Sequence, residues 1–313
     1  MPQHYELAAQ PTTVHWGFFD ASLPPVLTVD SGDTITFHTV SGGPTVLHPD
    51  PRRVPPELLE IHANCSRGEG GHIMVGPVFV RGAEPGDVLE VHIRDIQLRM
   101  DWGYNSFRPL SGTLPDDFPR QRLVHIEIDR ARRTADWGAG VTVPLQPFFG
   151  NMGVAPPPEL GRISTNPPGV HGGNLDNKEL GAGSILYLPV WNSGGLLSVG
   201  DGHAVQGDGE VNLTAIETGL SGTVELRVRK GASLRLPRAE TSTHHITMGF
   251  DPDLDQAAKI ALREMLHFLH TTFGLSLDDA YTLASLAVDL HVTQLVNGYK
   301  GIHAMVAKSL FST

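Results

Sequence analysis

The chain has 313 residues and a formal net charge of -11, from 34 acidic against 23 basic residues, which disfavours a non-specific grip on nucleic acid or an anionic membrane. A single cysteine excludes an intramolecular disulfide and a thiolate zinc cage, so any metal must be held by nitrogen and oxygen. No apolar run reaches membrane-spanning length, and the first thirty residues lack a basic start followed by an apolar block, so the expected compartment is the cytoplasm.

With 35 glycines, 24 prolines and only 18% charged residues, the chain is expected to form many short strands joined by turns. From Val26 to Phe37, β-branched runs flank Ser31-Gly32-Asp33 and predict two strands around a tight turn. Val75 to Ile93 repeats the pattern about the turn from Gly82 to Asp87. Val124 to Ile128 and Val141 to Leu145 alternate apolar and polar residues, as half-buried strands do. Residues 155–168 are too proline-laden for helix and predict an extended connection between two β modules. Beyond it, Ser184 to Val190 and Asn212 to Ile216 read as strands bracketing a glycine-rich loop, and Val224 to Arg229 as another. Helical spacing appears only at Asp253 to Phe273, stopped by Gly274, and at Ser276 to Leu290, where Ser276 and Asp279 resemble a capping box. The expected class is mainly β: β-sandwich or barrel modules with a small α/β C-terminal part. The expected division is an N-terminal β module at 1–155, a second at 156–240 and the α/β part at 241–313.

Chemistry-bearing residues gather in three glycine-rich segments. Gly200 to Glu210, GDGHAVQGDGE, packs Asp201, His203, Gln206, Asp208 and Glu210 into one loop, whose glycines let side chains far apart along it converge. Carboxylate with imidazole suits a divalent metal with open coordination positions, although Asp and Gly at alternate positions also make calcium loops and solvated turns. His171 to Asp176, HGGNLD, is the second cluster. If strand pairing joins it to the first, His171, Asp176, Asp201, His203 and Asp208 suffice for one metal, with Asn174 or Gln206 left to hydrogen-bond an amide. His62 to His72 offers Glu69 and His72 as a lid or ligand loop. Cys65 has no identifiable base beside it, no G-x-S-x-G elbow occurs, and activated water is therefore preferred to a protein nucleophile. Adjacent His244 and His245 would point to opposite faces of a strand, and His267, His270 and His291 read as helix-surface residues.

Several blocks resemble the acetamidase/formamidase family. They are DASLPPVLTVDSGDTITF, GPVFVRGAEPGDVLEVHI, DWGYN, PFFGNMGVAP, HGGNLD, SILYLPV followed by SVGDGHAVQGDGEV, and GLSLDDAYTLASLAVDL. The resemblance implies hydrolysis of short aliphatic amides such as formamide or acetamide, a mostly β architecture, divalent metal binding and a homo-oligomer, dimeric or higher. On that reading a metal, zinc by preference and calcium as the alternative, is held by His171, Asp201, His203 and Asp208. Glu210, or else Glu69 or His72, serves as general base, and Asn174 and Gln206 orient the amide. The rival expectation is a non-catalytic small-molecule binding protein with a structural metal on the same fold. The Asn192 to Gly195 turn and the His62 to Gly71 segment depart from relatives and bear on substrate size.

Overall fold

The computed structural model describes residues 1–311. The turns predicted between successive apolar runs act as corners that carry the chain from one sheet to another. Leu27–Val29 pairs in parallel with Ile73–Val80 in a seven-stranded sheet, whereas Thr34–His38, beyond the turn, pairs with Leu220–Arg229 in a nine-stranded sheet. The Pro85-Gly86 turn likewise takes Ile73–Val80 of the first sheet into Val88–Leu98 of the second. The predicted strands therefore form, but across each turn they do not pair with each other. Leu89, Val91, Leu186 and Leu226 of the larger sheet join Val75, Val78, Phe148, Leu197 and Val199 of the smaller in one buried core. Burying apolar area from two sheet faces is the main favourable term in such a sandwich.

The nine-stranded sheet runs in the order His4–Ala8, Thr34–His38, Leu220–Arg229, Val88–Leu98, Ile185–Pro189, Arg238–Glu240, His244–Asp251, Lys300–Ala307 and Val288–Gln294. In the seven-stranded sheet Pro168–Gly169, Gly172–Asn174, Phe148–Gly153, Leu197–His203, Ile73–Val80 and Val14–Trp16 lie side by side. Both sheets draw strands from either side of the expected division at residue 155. A four-stranded sheet, Trp102–Phe107 through Val141–Pro144, closes one flank.

The C-terminal helix Leu254–Phe273 starts where the Asp253 side chain accepts from the Gln256 N–H at 3.0 Å and stops at Gly274, which takes the left-handed conformation at φ 70°. Its buried stripe of Ala257, Ala261, Met265 and Leu269 forms a second core with Ile302, Ala304 and Val306. The next helix, Leu277–Ala287, is shorter than its periodicity suggests, because Val288–Gln294 leaves it to pair with Lys300–Ala307. In that segment β-branched Val288, Val292 and Thr293 favour the extended chain.

Two expectations fail. Residues 212–216 form turns rather than a strand, and the chain regains a ladder only at an isolated bridge through Glu217. Pro56–Asn64 is a helix that composition did not reveal, since nine residues carry only two buried apolar positions, Leu58 and Ile61. Among the described residues no helix is long and apolar enough to cross a membrane.

Candidate active site

The sheet order brings the HGGNLD and GDGHAVQGDGE segments together across one intervening strand. Phe148–Gly153 pairs with Gly172–Asn174 on one side and Leu197–His203 on the other, opposing Asn151 to Asn174 and Phe148 to His203. Gly150 lies beneath the junction. A β-carbon there would come within 2.5 Å of Asp176 Oδ1, 2.6 Å of Asp201 Oδ2 and 2.7 Å of His203 Cε1, so only glycine admits the cluster. Glu217 arrives from the long loop, bridged to both His203 and Tyr104, and Glu210 returns from the glycine-rich turn.

Three of the acids stand on left-handed backbone: Asp176 and Glu210 at φ 45° and Asp201 at φ 57°. Non-glycine residues hold that conformation at a cost of about 1–3 kcal/mol each, which the surrounding sheet must offset. Strain at three neighbouring carboxylates marks a place where side-chain direction outweighs backbone ease.

His203 is buried and its orientation is fixed from behind. Gln206 donates through Nε2 to the backbone carbonyls of Asp176, at 2.8 Å, and Thr293, at 3.3 Å. Its Oε1 must then accept, at 3.0 Å, from His203 Nδ1, which leaves His203 Nε2 facing the acids. Nε2 lies 3.3 Å from Asp201 Oδ2, 3.3 Å from Glu217 Oε1 and 3.9 Å from Asp176 Oδ1. None of these contacts has hydrogen-bond alignment. Asp176 Oδ1, His203 Nε2, Glu210 Oε2 and Glu217 Oε2 are all buried without a hydrogen-bond partner.

Burial opposes charge on the imidazole, yet the Glu217 and Asp201 carboxylates outweigh it and hold His203 well above the usual range. Burial, reinforced by Asp176, pushes Glu210 well up, and burial raises Glu217 and Asp176 despite the pull of His203. For Asp201 burial is overcome by His72 and His203, which hold its carboxyl below the usual range. Asp201 Oδ2 is 3.7 Å from His72 Nε2. Four buried carboxyls crowded around one imidazole need protons or a cation between them. Two sets, Asp201/His203/Glu217 and Asp176/His203/Glu210, have donor atoms within 4.8 Å of one another. Nitrogen with carboxylate oxygens, unpartnered and convergent, is a donor set that fits a divalent cation.

The acids line a cavity of about 640 Å³, with Asn174, Tyr104 and Asn297 in its wall and Arg67, Glu69 and Arg108 also at its surface. Asn174 is buried, and its Oδ1 accepts from Asn151 Nδ2 at 3.2 Å, which turns its own amide nitrogen away from Asn151. Asn297 donates to Asp176 Oδ2.

Of the residues singled out in the sequence, Asp201, His203 and Glu210 meet in this cluster, His72 stands beside Asp201, and Asn174 faces the cavity. Glu69 also lines the cavity but is exposed. Gln206 uses both ends of its amide behind His203 and does not line the cavity, so it positions the imidazole instead of meeting a substrate. His171 lies outside the cluster: it sits in a turn, followed by Gly172 and Gly173 at φ 89° and 79°, and its buried ring packs edge-on to Phe19 with centroids 4.9 Å apart. Burial pushes that ring down to about 4. Asp208 turns outward between the inward-facing Gln206 and Glu210, bonding Lys178 at 3.0 Å and His291 at 3.2 Å. His291 therefore sits on a strand, not a helix. Burial raises the Cys65 thiol, the opposite of nucleophile activation.

Glu217 and Tyr104 are site residues that side-chain chemistry alone did not flag. Glu217 lies one residue past the Asn212 to Ile216 segment read as strand and meets His203 at an isolated bridge, whereas Tyr104 and Asn151 lie within the DWGYN and PFFGNMGVAP blocks. Asp176, also within HGGNLD, places Oδ1 3.9 Å from His203 Nε2 and joins a donor set with His203 and Glu210, which His171 does not.

Comparison with known proteins agrees with the blocks quoted above. The profile of the Acetamidase/Formamidase family matches residues 4–166 and 161–308. The formamidase of Methylophilus methylotrophus is 30% identical over 209 residues, covering 50% of this chain and 51% of that protein. The acetamidase of Mycolicibacterium smegmatis is 30% identical over 226 residues, covering 50% and 53%. The matched region spans about half the length of these curated relatives. Among solved structures, the acetamidase of Bacillus halodurans superposes with a TM-score of 0.85 at 33% identity over 98% of both chains. The acetamidase of Yersinia enterocolitica gives 0.88 at 29% identity, over 100% of this chain and 94% of that one. With a family profile spanning nearly every residue and whole-chain superposition on two acetamidases, this chain belongs to the acetamidase/formamidase family.

Proposed function

We propose that the protein hydrolyses short aliphatic amides, formamide and acetamide first, to the carboxylate and ammonia, with a divalent cation held by His203 and two or more of Asp176, Asp201, Glu210 and Glu217. The observation that carries this reading is the convergence of four buried, unpartnered donor atoms on one side of His203, with Gln206 directing its free nitrogen there. Zinc suits the mixed nitrogen and oxygen donors, and calcium is the harder alternative. When bound, the cation would supply Lewis acidity for the amide carbonyl and lower the pKa of water.

The chain's own groups account for binding and proton movement. The position of the Asn174 amide in the cavity wall supports a role as donor to the substrate carbonyl oxygen. Glu210, in the cavity wall beside these acids, is the group assigned to take a proton from the attacking water and return it to the departing nitrogen. The new bond joins the water oxygen to the carbonyl carbon. The C–N bond breaks, and ammonia leaves with the transferred proton. His72 stays beside Asp201 and keeps that carboxylate charged. The same reading has a neutral small amide as ligand, a cytoplasmic setting, and an assembly of two or more copies, the last supported by exposed Tyr281, Leu286 and Leu290 near one another in sequence.

The experiment measures ammonia release from formamide, acetamide and propionamide, before and after chelation and after zinc is restored. Turnover that falls on chelation, returns with zinc, and drops at least about 100-fold in His203→Ala and Glu217→Gln is expected. Folded protein inactive on all three amides with metal supplied would favour the non-catalytic binding protein instead.

A further inference from the structure

Asp208, His291 and His303 form a further group whose donor atoms all lie within 4.8 Å of one another, and none of the three lines the cavity of the acids. His291 and His303 are directly opposed on neighbouring strands, Val288–Gln294 and Lys300–Ala307. Their rings stack with centroids 4.9 Å apart and planes 8° from parallel. Asp208 Oδ2 lies 3.2 Å from His291 Nδ1, while its Oδ1 is held at 3.0 Å by Lys178 Nζ. The independent observation is His303. It is fully buried, its Nδ1 is engaged by Thr293 Oγ1 at 2.8 Å, and its Nε2 has no partner. A ring nitrogen fixed by a hydrogen bond on one side and left bare on the other is how metal-binding histidines are oriented.

We propose that Asp208, His291 and His303 constitute a divalent metal site of the zinc class, separate from the active site, that clips the glycine-rich loop to the C-terminal hairpin. Two imidazoles and one carboxylate favour zinc or a neighbouring transition cation over calcium or magnesium, which prefer oxygen alone. Asp208 and His291, each with about a third of its side chain exposed, leave room for water in the remaining positions. Lys178 keeps its carboxylate oxygen, and the other oxygen turns to the cation. The loop is already stitched to the hairpin there, Gly209 donating to Thr293 at 3.2 Å and accepting from Leu295 at 3.0 Å. Residues 206 and 210, two positions either side of Asp208, hold His203 and enter the cavity. The cation would therefore brace the loop that carries them without touching substrate.

The test compares wild type with His291→Ala, a one-third-exposed position on an edge strand, after both are stripped by chelator and titrated with zinc. Metal content and Tm are read. Wild type should retain one zinc equivalent more than the variant, and saturating zinc should raise its Tm by several degrees more. Equal zinc content together with equal Tm response in the two proteins would overturn the site. Because the cavity donors are intact in both, an active site that takes no metal leaves the difference between them unchanged.

Discussion

His171 and His203 pose opposite tests of what a buried histidine is for. His171 packs against Phe19 away from the acids, so His171→Ala should cost about 2–4 kcal/mol of stability through lost packing while the protein that remains folded keeps its turnover. Thermal melting and ammonia release on the same sample check both halves of that statement. Gln206 acts one layer back: with its amide spent on His203 and two backbone carbonyls, Gln206→Leu should weaken metal binding about 10–100-fold and leave KM for acetamide nearly unchanged at saturating metal. A large KM change with full metal affinity would return Gln206 to the substrate. At this scale the sequence was partly legible. Glycine-flanked Asp201, His203 and Glu210 announce themselves by residue type and crowding, but which of HGGNLD's side chains turns inward depends on strand facing. A pattern of letters puts His171 and Asp176 in the same cluster, and the left-handed turns at Gly172 and Gly173 separate them.

Among the elements, the strand Phe148–Gly153 matters for what it lacks. A methyl at Gly150 would occupy the space between Asp176, Asp201 and His203, so Gly150→Ala should abolish most turnover, by about 100-fold or more, while the flanking ladders to Leu197–His203 and Gly172–Asn174 remain. Crystal structure or far-ultraviolet circular dichroism would report the fold, and amide hydrolysis the site. A variant as active as wild type would mean that the acids do not act from these positions. The elements themselves were legible wherever periodicity ran long: Leu254–Phe273 announces its stripe and terminal glycine, and Val224 to Arg229, the second half of Leu220–Arg229, its alternation. Short pieces were not. Pro56–Asn64 has too few buried apolar positions to show a period, and residues 212–216 read as a strand yet form no ladder, only Ile216 bonding a neighbouring backbone at Ala204 and Val205. Pairing partners were the least visible feature, since a turn sequence signals a change of direction and says nothing about whether the chain returns to the same sheet.

For the molecule as a whole, acid should loosen the fold before it discharges the surface carboxylates. Burial pushes His171 down to about 4 and pushes His303, aided by His291, down to about 3, against about 6.5 in an unfolded chain. Each folded-state value lies below the unfolded one, so the unfolded chain binds more protons between them and stability rises with pH across that window. The contribution of His171 is complete above about pH 6.5 and declines as pH falls toward 4, by about 3 kcal/mol in all. Urea unfolding followed from pH 7 to 4 should show this slope in wild type and a shallower one in His171→Leu; identical slopes would mean that His171 titrates as though exposed.

The corner turns carry one further consequence. Thr34–His38 bonds to Leu220–Arg229, and His4–Ala8 has no neighbour in the large sheet except Thr34–His38. A nascent chain must therefore leave the Thr34–His38 edge that faces Leu220–Arg229 unpaired until that distant strand has been made. Translation speed and holdase chaperones should then govern the yield of soluble protein more strongly than the equilibrium stability of the finished sandwich does.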